Sequence, residues 1–469
     1  MYALLHRILP IITIGSLFIG CVPSSTPEPM TIATNTPSTT VASTVTPTLM
    51  PTPLSLPTPS TTVASTMTPT PMPSPLSLPT PRITALQVDQ NDRAELVDGN
   101  RAFALDLYHV LRKGSGNLFY SPYSISLALA MAYAGARGKT QQQMAGALHF
   151  TLSPDRLHPA FHALDLEIAR RGESTDKGFH LNIANAMWVQ QGYALRDEYL
   201  GLLAENYGAA PHLVDFEHAF EAARITINAW VSEKTQGKIK DLIPKGAVND
   251  LTRLVLTNAI YFKAAWQDQF DESGTRKEPF HLLGGGQISV PMMHQLKSFG
   301  YTEGAEYQAV TLRYNGAPLA MIVLLPRAGQ FSAFEDSLST QRLKAILGAM
   351  QPQDVRLTLP KFKVESEFSL KDVLEQLGMT DAFGGAADFS GMTGRPELCI
   401  TSVFHQAYIA VDEAGTEAAA ATAVIMGGGG LATPSLFIEF TADRPFLFLI
   451  QDEATGAILF VGRVLDPRP

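Results

Sequence analysis

Gly135–Thr140 read GARGKT, a stretch that ends like a phosphate-binding loop. A Walker loop needs four residues between its first glycine and the Gly-Lys pair, with a strand leading in. Here Gly135 stands too close to Gly138 and Lys139, and the residues before it, SPYSISLALAMAYA, read as a helix. His212, His218, His281 and His294 lack the spacing that brings imidazoles to one ion. The chain has no HExxH, no paired CxxC and no GxSxG. Cys399, in strand-like ELCITSV, reads as a small buried apolar residue. No metal or cofactor is expected. A hydrolase triad assembled from distant residues stays open as a catalytic alternative.

A different kind of chemistry is suggested by residues 413–430, EAGTEAAAATAVIMGGGG. Intrinsic propensity makes Glu417 to Thr422 a helix, because alanine is the best helix former. Gly427 to Gly430 have no preferred conformation and a high entropic cost of ordering. The two halves disagree, and a segment able to change state is one explanation. A plain helix followed by a flexible loop is the other.

The positioning elements lie in the rest of the chain. Its 469 residues are 45% hydrophobic and 17% charged, enough for a large core, and the length alone suggests two or three domains. A net charge of −9 argues against a nucleic-acid partner. Two cysteines, Cys21 and Cys399, do not make a disulfide framework.

Residues 1–20 read as a signal peptide: Arg7 precedes ILPIITIGSLFIG, an apolar run too short for a comfortable membrane span. Its end, FIGC, resembles a bacterial lipobox, which makes Cys21 a candidate lipid anchor. Residues 21–86 turn abruptly to Thr, Pro and Ser. STTVASTVTPTLMPTPLSLPTP at 38–59 recurs as STTVASTMTPTPMPSPLSLPTP at 60–81. Such a segment cannot build a packed core. Extended as polyproline II, about 60 residues at ~3.1 Å each reach at most ~190 Å, a stalk between membrane and body.

From about residue 87 onward the chain reads as one folded unit, 87–469. RAELVDGNRAFALDLYHVLRK, SPYSISLALAMAYAGARG, RITINAWVSEKTQG and SLKDVLEQLG have helical patterns. IANAMWVQ, LVLTNAIYF, AMIVLLP, VRLTLPKFKV, HQAYIAV, LFIEFTA, PFLFLIQD and AILFVGRV read as strands. Helices cluster early and strands late, which favours an α+β fold with antiparallel or mixed sheets.

EAGTEAAAATAV resembles the hinge of the reactive-centre loop of serpins, and FTADRPFLFLI is similar to the signature that follows that loop. NLFYSPYSISLALAMAYAGARGKT, INAWVSEKTQGKIKDLI, LTNAIYFKAAW, VPMM, LPKFKVESEFSLKDVLEQLGM and FVGRVLDP resemble further family blocks, in family order over most of residues 93–467. The resemblance implies a single domain of three β-sheets and eight or nine helices with an exposed loop. It implies no enzyme but a suicide-substrate inhibitor of serine proteases, whose cut loop enters the main sheet and drags the acylated protease away. A non-inhibitory serpin-like binding protein is the alternative.

On an inserted strand Thr416, Ala418, Ala420 and Thr422 would face the core, and Glu417, Ala419 and Ala421 the other side. Small side chains slip between strands cheaply, whereas an inward charge would cost several kcal/mol to desolvate. Gly415 absorbs the hinge rotation. The resemblance further assigns Ser121, Ser124, Asn258 and His405 to a polar shutter, and Trp266 to the breach where insertion begins. It also aligns His294 with the usual basic partner of Glu413. Hinge length places the scissile bond at Gly429–Gly430; a longer return segment allows Leu431–Ala432. No Arg or Lys occurs from Ala418 to Phe440, so chymotrypsin-, elastase- or subtilisin-like targets are expected over trypsin-like ones. A monomer outside the cytoplasm, secreted or lipid-anchored, completes the expectation.

Overall fold

The computed structural model describes residues 88–173, 180–416 and 437–468. The leader, the Thr/Pro/Ser-rich linker, Glu417 to Thr422 and the candidate bonds from Gly429 to Ala432 lie outside the described residues. In chain order the first half contains α1 (Gln90–Leu111), β1 (Leu118–Tyr120), α2 (Pro122–Tyr133), α3 (Gly138–Leu148), α4 (Pro154–Glu173), β2 (His180–Gln190), α5 (Asp197–Tyr207), β3 (His212–Val214) and α6 (Phe216–Lys234). The strand-rich half follows, with β4 (Leu254–Ala265), β5 (Arg276–His281), β6 (Gln287–Glu303), β7 (Tyr307–Arg313), β8 (Leu319–Pro326), α7 (Phe331–Ser337), α8 (Thr340–Gly348), β9 (Gln351–Pro360), β10 (Phe362–Ser369), α9 (Lys371–Gln376), α10 (Ser390–Thr393), β11 (Ser402–Val411), β12 (Gly415–Thr416), β13 (Ile438–Thr441), β14 (Phe446–Asp452) and β15 (Ile458–Val464). This is an α+β fold.

Helix α2 is buried along all twelve residues, which explains its apolar character all round. Ser121 caps it by accepting from the Ser124 amide, and Pro122 stands where its missing N–H costs nothing. VRLTLPKFKV, read as one strand, is two. The chain ends β9 at Pro360, turns at Lys361 and opens β10 in a different sheet. The Lys361 amide donates instead to Pro291 O at 2.9 Å.

One sheet follows the order β1-β15-β14-β8-β7-β6-β9-β13, with β5 on β6. Strand β6 is seventeen residues long; its early part pairs with β5 and its last residues with β7, so it joins the second and third expected sheets into one hydrogen-bonded surface. The other sheet, in the order β10-β11-β12-β4-β2-β3, positions the site. Its faces alternate as strand geometry requires. Leu256, Ile260, Phe262 and Ala264 of β4 join the large core that contains α2. Val255 and Ala259 instead join a second cluster with Ile227 and Val231 of α6.

Candidate functional site

At the centre of this sheet β4 and β11 run parallel, paired from Val255↔Ser402 to Tyr261↔Tyr408. Above that seam they part. The chain leaving β11 turns back at Asp412, whose Oδ1 accepts from the amides of Ala414 and Gly415 at 3.0 and 3.2 Å. The two residues of β12 then lie between the parted strands, antiparallel to both: Thr416 opposite Val411 on one side and Ala264 on the other, and Gly415 opposite Ala265. Gly415 must be glycine here. A Cβ would stand 2.2 Å from the Ala264 carbonyl oxygen, and φ is +154°.

Thr416 has no exposed surface, and its hydroxyl lies 2.8 Å from the Tyr314 hydroxyl. Tyr314 stacks on Trp266 with ring centroids 4.6 Å apart. Trp266 is tied to the turn by two hydrogen bonds, its amide to Ala414 O and its indole Nε1 to Asp412 O, both 3.0 Å. Its expected place at the start of the insertion path is therefore also a docking contact. Burial pushes the Tyr314 phenol well above its usual range, so it stays protonated and available to the Thr416 hydroxyl.

The partner of Glu413 differs from the expectation. Lys361 Nζ donates to Glu413 Oε2 at 2.6 Å and Thr275 Oγ1 donates to Oε1 at 2.7 Å. His294 lies on β6 with its Nε2 3.2 Å from Glu278 Oε1 and its Nδ1 3.1 Å from Thr358 Oγ1. The corner at Lys361 puts an ammonium group at the mouth of the parted strands, which His294 does not reach. Burial raises the Glu413 pKa, but the hydrogen bonds from Lys361 and Thr275 outweigh it and hold the carboxyl below its usual value.

Lower down, Ser121, Ser124, Asn258 and His405 meet in one network. Asn258 stands opposite His405 on one side and Asn185 on the other, so a polar row crosses three strands on the face toward α2. The Ser121 amide donates to His405 Nε2 at 3.2 Å, which leaves Nδ1 as the donor to Asn258 Oδ1. Asn258 Nδ2 donates to Ser124 Oγ at 2.6 Å and to Asn185 Oδ1. Complete burial lowers the His405 pKa to about 3, so the ring is neutral. Asn185, Tyr314, Thr275 and Lys361 were missed in the sequence. Only Asn185 carried a signal, as a polar residue in the apolar strand IANAMWVQ.

Gly415 and Thr416 thus stand as an antiparallel strand at the upper end of a parallel seam. Parallel pairing is slightly weaker per residue than antiparallel pairing, so exchanging one parallel ladder for two antiparallel ones is favourable.

The family model described as serpin (serine protease inhibitor) matches residues 98–467. A serpin-like protein of Thermococcus kodakarensis is 44% identical over 80% of this chain and 86% of its own length. Human leukocyte elastase inhibitor is 38% identical over 80% of this chain and all of its own. Among solved structures, the thermophilic serpin tengpin in its native state superposes with a TM-score of 0.73 at 27% identity, over 82% of this chain and 96% of that one. The chain belongs to the serpin family. Protease inhibition is the general function of that class and proteases are its partners.

Proposed function

We propose that the chain inhibits serine-type endopeptidases as a single-use trap, with the residues after Thr416 as bait and the β4–β11 seam as the slot. The observation that carries this reading is the placement of β12, whose two residues already lie between the parallel strands. The solved structure of thyroxine-binding globulin with bound thyroxine has a similar fold, with a TM-score of 0.72, so the fold alone does not imply a trap and the hinge distinguishes one.

Attack on the bait forms an acyl bond to the protease and frees the new end of the loop. Continuing the two ladders residue by residue sets Thr422 opposite both Asn258 and His405, and Met426 opposite Leu254, where β4 begins. Insertion must therefore break the His405–Asn258 bond, and the Thr422 hydroxyl, a donor and an acceptor, replaces it. The slot runs out at Met426. A cut at Gly429–Gly430 leaves Gly427 to Gly429 as a short tether beyond the sheet, holding the acylated protease at its base. A cut at Leu431–Ala432 lengthens that tether by two residues. The absence of Arg and Lys from the bait supports chymotrypsin-, elastase- or subtilisin-like targets. FIGC and the Thr/Pro/Ser-rich repeat support a tether outside the cytoplasm through Cys21.

Incubation of the full chain with a panel of these proteases tests the proposal. An SDS-resistant covalent complex is expected with at least one. Clean cleavage by every member, with each protease left active, would replace this reading with that of a non-inhibitory binding protein.

A further inference from the structure

The signature segment FTADRPFLFLI is conspicuous in the sequence, yet its Asp443-Arg444-Pro445 corner takes no part in the hinge. It forms one wall of an open cleft of about 520 Å³, bounded also by the β5–β6 turn and by the residues between β8 and α7. Leu283, Pro326, Phe331 and Pro445 give the cleft an apolar lining, and Leu283 is 49% exposed at its rim.

The charges of the cleft are unequal. Arg444 is held rigidly: its Nε donates to Pro326 O at 2.9 Å, and its Nη1 donates to Asp443 Oδ1 at 2.7 Å and to Thr441 O at 3.4 Å. Its Nη2 has no hydrogen-bond partner among the described residues. Arg327, on the same cleft, pairs at 2.6 Å with Glu303, which does not line it. Asp443, the one carboxylate of the lining, is already engaged by Arg444. The cleft thus offers an apolar body site next to a fixed guanidinium edge, the arrangement that recognises a carboxylate.

We propose that this cleft binds a small amphiphilic monocarboxylate, with its apolar body on Leu283, Phe331 and the two prolines and its carboxylate on the Nη2 edge of Arg444. The site is separate from the hinge and does not depend on the inhibitory reading.

Calorimetric titration of the full chain with 1-naphthoate tests it, with 1-naphthylmethanol and 1-naphthylmethylammonium as neutral and cationic counterparts. One equivalent of naphthoate binds, at least tenfold more tightly than either counterpart. Arg444 also ties two backbone carbonyls, so its replacement risks the corner itself. The exposed-wall variants Leu283→Asp and Ser332→Trp avoid that risk, and each weakens naphthoate at least tenfold with the melting temperature unchanged. No saturable heat with naphthoate, equal binding of the neutral analogue, or full affinity in both variants overturns the proposal.

Discussion

The hydroxyls of Thr416 and Tyr314 lie 2.8 Å apart in the core, between a hinge residue and a tyrosine 102 positions earlier in the chain. The contact fixes which side of β12 faces inward, and through the alternation of a strand it fixes the facing of every residue that follows. Thr416→Arg places a charge at that inward position, where desolvation costs several kcal/mol. Because Thr416 is already buried between the strands before any cut, the variant is expected to expel β12 from the seam, to melt below the parent, and to be turned over as a substrate. The moles of inhibitor consumed per mole of protease should rise at least tenfold. Unchanged trapping would refute the assigned facing. Tyr314→Phe removes only the hydroxyl partner and should cost about 1 kcal/mol of native stability.

The Glu413–Lys361 pair holds the turn above the slot. Lys361→Met leaves a buried carboxylate without its cation, and the amides of Trp266 and Phe270, which donate to Ala414 and Glu413, should exchange at least tenfold faster with deuterium. His294→Gln should leave both amides unchanged. Because the folded pKa of Glu413 is lowered, its contribution is full above the ordinary glutamate value of about 4.3 and is lost as pH falls through the folded value. The protection factors of the same amides in the parent should therefore fall in that acid window. The Lys361→Met variant should show a smaller fall.

Both corrections at this site have a physical origin. The apolar positions of VRLTLPKFKV are 355, 357 and 359 and then 362 and 364, so the alternation slips at Pro360-Lys361, and reading one strand passes over that break. The bend exists because β9 and β10 find partners in different sheets, and only that bend brings Lys361 to Glu413. Tyr314 carries no such signal, since it meets Trp266 through a single bridge outside the named strands. By contrast α2, β4, β11, β14 and β15 were legible because each is a buried apolar run with clear limits. The shutter and hinge residues came from a resemblance between motifs. No periodicity could have distinguished them from satisfied core polar groups.

His405 couples the closed sheet to pH. The unfolded ring takes up its proton near pH 6.5, while the buried one holds off until about 3. Stability from this group is full above pH 6.5 and falls by about 1.4 kcal/mol per unit as pH drops toward 3. His158, lowered to about 4 by burial, adds a parallel loss. Urea unfolding from pH 7 to pH 4.5 should show the summed slope. His405→Gln, which can still accept from Ser121 and donate to Asn258, should reduce it by one proton's share. An unaltered slope in that variant would contradict the neutral buried assignment.

Thr422→Val tests the register directly, since it removes the hydroxyl placed opposite Asn258 and His405 without changing side-chain volume greatly. The native protein should keep its melting temperature. The loop-cleaved form should lose about 1–3 kcal/mol, because two buried polar groups are stranded only after insertion. Equal effects on both forms would mean that Thr422 does not reach the polar row.

The trap works only if the uncut molecule lies above its cut form in free energy. The full chain should be nicked between Met426 and Ala432 by a protease that does not become trapped, and its thermal unfolding compared with that of the intact chain. Insertion replaces about seven parallel pairs by two antiparallel ladders. A gain of ~5 kcal/mol or more should raise the midpoint by ~6 °C or more in a folded unit of this size. A nicked protein that melts at or below the temperature of the intact one would contradict the proposed mechanism.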